Sequence, residues 1–298
     1  MRVAPTFAEA RHDLEGVVGL VPTMGFLHEG HLSLIEAARR ECTAVVVTLF
    51  VNPMQFGEDA DLVAYPRDLE RDTELAAASG ADVVFAPALS EMFGEPTMTT
   101  VHVGEIGDPM EGVYRPGHFT GVATVVAKLL AGLGPDRAYF GRKDAQQLAV
   151  VRRMVGDLSF PVDIVACPTV REQDGLALSS RNIRLTSQER RQALAMSRGL
   201  AAAADAAEAG EREGSVLEGL VAFEIEAQQG ISVDYVTLAS QTTARHLPDL
   251  DGAAFLAVAV RLGETRLIDN IHFDAGPDGV IIDRGRRLDS PSVLYGEA

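Results

Sequence analysis

Val21-Pro22-Thr23-Met24-Gly25-Phe26-Leu27-His28-Glu29-Gly30-His31 places two histidines and two glycines where a strand passes into a helix. Upstream, Val17 to Val21 reads as a short buried strand; downstream, His31 to Ala38 carries apolar residues at helical spacing. The histidines therefore fall at or just before a helix N-terminus. Free backbone N–H groups and the positive end of the helix dipole favour an anion there, and glycine lets a bulky one approach the backbone closely. The position also favours neutral imidazole, which donates through one nitrogen. A nucleotide triphosphate suits such a loop. A zinc site does not, because His-Glu-Gly-His lacks the spacing of H-E-x-x-H and no nearby Cys or His supplies a third ligand.

Working outward, strand-like runs alternate with helical ones as far as about Val170. Ala44–Val51, Asp82–Phe85, Arg137–Phe140 and Val162–Ala166 read as strands. Asp68–Ser79, Gly121–Ala131 and Ala145–Val155 read as crossover helices between them. This alternation predicts an α/β fold built on a doubly wound parallel sheet, which binds ligands beyond the carboxyl ends of its strands. His28, Asn52 and Lys143 all fall just after predicted strands. After Arg181 the pattern changes to two helices, Ser187–Ala209 and Val216–Gln229, and two strands, Val233–Ala239 and Ala254–Arg261. The expected division is thus residues 1–181 and a smaller C-terminal α+β domain over 182–298. The Gly- and Asp-rich tail from about Ala275 is expected to be loosely attached. No internal repeat is present.

Composition narrows the function classes. With 298 residues and 47% hydrophobic content the chain can bury two cores. The longest apolar stretch, Gly121 to Gly134, is broken by Lys128, so no membrane span is expected. A net charge of −17 argues against a nucleic-acid surface, and an anionic substrate must find a local positive pocket. Met1 to Pro5 lacks the apolar core of a secretory signal, and Cys42 and Cys167 form no metal or redox motif, which fits packed thiols in a reducing cytoplasm.

Four further segments carry chemistry. Asn52-Pro53-Met54-Gln55 exposes two amides after an apolar strand; a turn accounts for Asn52 and Pro53 but leaves Gln55 for recognition of a hydroxyl or carboxylate. Gly141-Arg142-Lys143-Asp144 repeats the first theme of strand end, glycine and polar helix start, with Lys143 suited to phosphate and Asp144 to ribose or to a helix cap. Gln147 lies one turn further on. Leu178-Ser179-Ser180-Arg181 offers two hydroxyls and a guanidinium in a row, a composition suited to triphosphate oxygens. Arg115-Pro116-Gly117-His118 reads chiefly as a turn, with Arg115 a candidate for substrate charge and His118 structural.

In this order and at these separations the five segments closely resemble the pantothenate synthetase family, the pantoate–β-alanine ligases of the HxGH nucleotidyltransferase superfamily. The resemblance is dense from Val17 to Asn182; Thr265-Arg266-Leu267-Ile268-Asp269-Asn270 resembles the strand closing the family's C-terminal domain, and residues after Phe273 lie outside the pattern. It implies a Rossmann-like N-terminal domain, a C-terminal lid, a cytoplasmic homodimer, and Mg²⁺-dependent use of ATP with pantoate and β-alanine as small-molecule partners. Position by position it implies an ATP loop over Met24, Gly25, Phe26, Leu27, His28, Glu29, Gly30 and His31, with His31 as proton donor. It implies further ATP contacts at Gly141, Arg142, Lys143, Asp144, Val170, Leu178, Ser179, Ser180 and Arg181. Gln55 and Gln147 stand as pantoate clamps, and Asn52, Pro22 and Thr23 as accompanying substrate-binding positions. Asp72 matches the family's acidic metal helper, directly or through water, although its neighbour Arg71 replaces an acid found in some relatives. Two other readings differ in product: an adenylyltransferase would keep AMP on its product, and a regulator without chemistry would have lost Lys143 or a histidine.

Overall fold

The computed structural model describes residues 1–57, 62–94 and 96–296. Counting helices of ten residues or more, α1 is Glu29–Glu41, α2 Leu69–Ala78, α3 His118–Leu133, α4 Ala145–Asp157, α5 Ser187–Glu208 and α6 Gly214–Glu226. The chain forms two compact units, one of Met1–Gly141 with Val150–Cys167, the other of Arg142–Ala149 with Pro168–Ala298.

The first unit is built on a six-stranded, wholly parallel sheet of β1 (Arg2–Ala4), β2 (Val18–Thr23), β3 (Ala44–Leu49), β4 (Val83–Phe85), β5 (Arg137–Gly141) and β6 (Asp163–Cys167) in the order β1-β4-β3-β2-β5-β6. Runs such as Ala44-Val45-Val46-Val47 are buried throughout, as expected of strands covered on both faces. Leu27, Leu34, Ile35 and Ala38 of the α1 region pack with Val21, Val45, Val47, Val84 and Tyr139 in one core cluster. From β2 the chain steps outward through β3 to β4; from β5 it steps the other way to β6. Neighbouring β2 and β5 therefore mark the switch point of the sheet, the place where such folds open a crevice for ligands.

The second unit carries an antiparallel sheet, β11-β10-β9-β8, of β8 (Ile231–Ser240), β9 (Gly252–Leu262), β10 (Thr265–Gly276) and β11 (Gly279–Asp283). α5 and α6 supply Ala195, Met196, Leu200, Leu217 and Val221 to its core, and β9 and β10 supply Leu256, Val258, Ile271 and Phe273. A further pair of short strands, β7 (Val170–Arg171) and β12 (Arg286–Arg287), run parallel.

The structure differs from the sequence reading in three places. The edge strand β1 was not anticipated, because three residues are too short to show a period. The two units divide at Cys167 and Pro168, with Arg142–Ala149 in the second, rather than at residue 181. Within the second unit Arg171 forms a buried bidentate pair with Asp269 at 2.7 and 3.0 Å, which fastens β7 to β10. The tail is not loose. β11 pairs with β10, β12 pairs with β7, and Leu294 is buried.

Candidate active site

α1 begins where β2 ends, and its N-terminus is capped by the histidines themselves. His28 is extended at the cap position, and its Nδ1 accepts from the Gly30 N–H at 3.1 Å. The His28 N–H in turn reaches His31 Nδ1 at 3.4 Å, giving a reciprocal capping box with imidazoles in place of the usual Ser and Glu. The two rings lie 4.1 Å apart, centroid to centroid. A neutral imidazole that accepts through Nδ1 carries its proton on Nε2, so both rings are set as donors to an anionic oxygen.

The loop before the cap is shaped by a residue from another helix. Asp72 of α2 is 2% exposed, and its two oxygens accept from the Phe26 and Leu27 N–H groups, each at 2.6 Å. Arg71 donates to the Leu27 carbonyl at 3.0 Å, stands 3.4 Å from the Asp72 carboxylate and lies over the Phe26 ring. The chain needs this support, since Gly25 and Phe26 both have positive φ, +89° and +51°, and Phe26 has no glycine freedom. A Cβ on Gly25 would stand 2.9 Å from the Asp72 carboxylate. Burial pushes the Asp72 carboxyl up from its ordinary range, against the opposing pull of the two N–H groups and Arg71. With both oxygens so engaged, Asp72 is badly placed to ligate a metal directly. Among the described residues no group of three or more His, Cys, Asp or Glu side chains could hold a metal ion.

The amide pair of the second segment divides its labour. Asn52 is 1% exposed and spends its side chain inside the protein: Oδ1 accepts from the Met54 N–H, while Nδ2 donates to Gln55 Oε1 at 3.1 Å and to the Gly121 carbonyl at 3.0 Å. Gln55 Nε2 donates to the Met24 sulfur at 2.8 Å, and its backbone carbonyl accepts from His118 Nδ1 and the Arg115 guanidinium. Asn52 thus supports Gln55 from within the protein. Arg115 and His118, read from sequence as a turn, fix the same residue; the sequence signal was the pairing of a cation and a histidine at the start of α3. Thr23 is likewise internal, donating to the Thr48 carbonyl at 2.6 Å and accepting from the Gly25 N–H, and Pro22 lies within β2. Beside the loop a cavity of about 460 Å³, with Met24, Gly25, Phe50, Arg67 and Asp72 in its walls, has the size of a small-molecule site.

The remaining candidates belong to the second unit, apart from Gly141, which ends β5 in the first. Arg142 forms a 2.8 Å ion pair with Asp283, and Lys143 stands 3.7 Å from Asp144. Two buried side chains of β10 hold the backbone here: Asn270 Nδ2 donates to the Lys143 carbonyl at 2.6 Å, and His272 Nε2 lies 3.0 Å from the Arg142 carbonyl. Gln147 is half-buried on α4. Val170 accepts from the Leu178 N–H, and Leu178 itself is core. Ser179 caps the short turn that carries Ser180 and Arg181, accepting from the Arg181 N–H at 3.3 Å.

Comparison with known proteins agrees with this picture. The family model described as pantoate-beta-alanine ligase matches residues 2–272. The pantothenate synthetase of Roseiflexus sp. strain RS-1 is 52% identical over 278 residues, spanning 92% of this chain and all of the relative. That of Moorella thermoacetica is also 52% identical, over 85% of this chain and 90% of its own. A crystal structure of the Thermus thermophilus protein superposes with a TM-score of 0.87 at 49% identity, covering 91% and 98% of the two chains. The Francisella tularensis pantoate-beta-alanine ligase, solved with beta-gamma ATP and beta-alanine, gives 0.73 at 33%, covering 91% and 97%. The chain belongs to the pantoate–β-alanine ligase family.

Proposed function

We propose that this chain condenses pantoate with β-alanine to give pantothenate, AMP and diphosphate through a pantoyl adenylate. The observation that carries the reading is the imidazole-capped start of α1 beyond β2, in a chain that belongs to this ligase family. A carboxylate is a poor electrophile and must be activated before an amine can displace its oxygen. The pantoate carboxylate attacks the α-phosphorus of ATP, and diphosphate leaves. Negative charge gathering on the phosphate oxygens is met by His28, His31 and Lys143. β-Alanine then attacks the acyl carbon as its free amine, and AMP departs.

The other roles divide by chemistry. Gln55 and Gln147 hold pantoate through their amides, and Gly141, Asp144, Val170, Ser179, Ser180 and Arg181 bind nucleotide. Mg²⁺ would arrive with the triphosphate and lower its charge; among the described residues no cluster of donors could hold a resident metal, and both Asp72 oxygens are taken by backbone N–H groups. No described helix is long and apolar enough to cross a membrane. We assign the chain to the cytoplasm as a homodimer, for which light scattering should give twice the 31.8 kDa chain mass; a monomer mass would refute it.

The test is to supply ATP, Mg²⁺ and pantoate, measure diphosphate, then add β-alanine and follow AMP and the amide by mass spectrometry. Diphosphate release that depends on pantoate, then AMP and pantothenate, supports the ligase. A product that keeps the nucleotide would make the chain an adenylyltransferase instead.

A further inference from the structure

Residues after 272 lie beyond the matched family model, yet the stretch 283–295 reaches each nucleotide-assigned segment of the second unit. Asp283 pairs with Arg142 at 2.8 Å, beside Lys143. β12 runs parallel to β7, where the Arg286 N–H donates to the Thr169 carbonyl and the Leu288 N–H to the Arg171 carbonyl. Arg171 Nε answers by donating to the Arg284 carbonyl. Further along, Tyr295 donates to Glu172 at 2.7 Å and accepts from Arg190. Buried Glu172 is shared among Arg190, Tyr295 and the side-chain amide of Asn182, the residue that follows Ser179-Ser180-Arg181.

We infer that residues 279–295 are a built-in strap whose Asp283 and Tyr295 act as positioning residues for the nucleotide, holding segments 142–144, 170–171 and 178–182 in one arrangement. The inference rests on the proposed assignment of those segments to ATP. Strap contacts with the three segments run through charge-assisted hydrogen bonds and strand pairing, the kinds of contact that fix geometry as well as adding stability. Arg284 anchors the strap midway through ion pairs to Asp205 and Glu208 of α5.

The test uses the full chain with Asp283→Asn, Tyr295→Phe and both together, since truncation after Gly276 would also remove Val280 and Ile282 from the core. Neither position touches substrate in the proposed mechanism. Two readouts are taken: the KM for ATP against the KM for pantoate, and hydrogen exchange of the backbone at 142–144 and 169–171. Asp283→Asn should raise the ATP KM by up to about fivefold, the range of a partly exposed ion pair, with the pantoate KM unchanged and exchange faster at 142–144. The double variant should lose more than either single one. Unchanged exchange, or faster exchange with an unmoved ATP KM, would overturn the inference, as would an equal rise in both KM values. If the wild type releases no diphosphate, the proposed function falls first, and exchange alone then decides whether the strap holds these segments.

Discussion

Replacing Asp72 with Asn tests whether the loop before His28 is held from α2. The carboxylate accepts two N–H groups at 2.6 Å while 2% exposed. The amide keeps one accepting oxygen and turns an N–H₂ towards the other donor, so one charge-assisted bond worth about 1.5–3 kcal/mol is lost. Burial opposes the charge, since it pushes the carboxyl up, and the neutral amide recovers part of that cost. A net loss of about 1–2 kcal/mol remains, or a fall in Tm of roughly 3–6 °C for a unit of this size. With Phe26 released from its positive φ, His28 and His31 shift, and pantoate-dependent diphosphate release should fall by about ten- to a hundredfold. Calorimetry and a diphosphate assay at saturating Mg²⁺ read both quantities. Wild-type Tm and turnover would refute the reasoning. A variant normal in Tm but needing far more Mg²⁺ would instead restore Asp72 to a metal role.

Gly121→Ala should raise the pantoate KM and lower stability by about 1–3 kcal/mol, because its Cβ would collide with the Met54 carbonyl oxygen and push on the turn bearing Gln55; steady-state kinetics and thermal melts read both. His31→Ala and Lys143→Ala should each slow adenylate formation by about 10²–10³, with Tm unchanged in Lys143→Ala and lowered in His31→Ala by the lost cap bond, about 0.5–2 kcal/mol; near-normal formation in either would remove that residue's role. Breaking the buried Arg171–Asp269 pair with Asp269→Ala should cost about 3–5 kcal/mol in denaturant titrations. The Tyr139 hydroxyl and then Arg137 hold the Glu41 carboxyl below its ordinary range. That stability is complete above the ordinary Glu range and is lost as pH falls through the lowered folded value, so Glu41→Gln should flatten the acid side of the Tm–pH curve.

What could be read from sequence divides by range. β3, β5 and α1 were legible because their patterns are local: Ala44–Leu49 is apolar almost throughout, and the histidines sit at a strand-to-helix turn whatever surrounds them. The loop's anchor was not, since Asp72 lies 46 residues from Phe26 and its carboxylate reads equally as a metal ligand or a backbone acceptor. The bonds of Asn52 were hidden for the same reason; an amide after a strand does not announce that it will reach the carbonyl of Gly121, 69 residues on. The tail reads as loose because Gly and Asp suggest a coil, while its attachment depends on partners at Arg142, Val170 and Glu172.

Neither unit is contiguous along the chain, and this bears on the order of synthesis. The first cannot close its sheet until β6, ending at Cys167, has emerged, by which time Arg142–Ala149 is already made and waiting for partners in the second. Asn270 and His272 of β10, which grip the carbonyls of Lys143 and Arg142, follow those residues by 127 and 130 positions, so the nucleotide segment stays unclamped through much of translation. A fragment cut at Arg181 would strand it permanently, leaving β7 without β12 and Arg171 without Asp269. Halves of this enzyme should therefore be co-expressed or permuted rather than severed there.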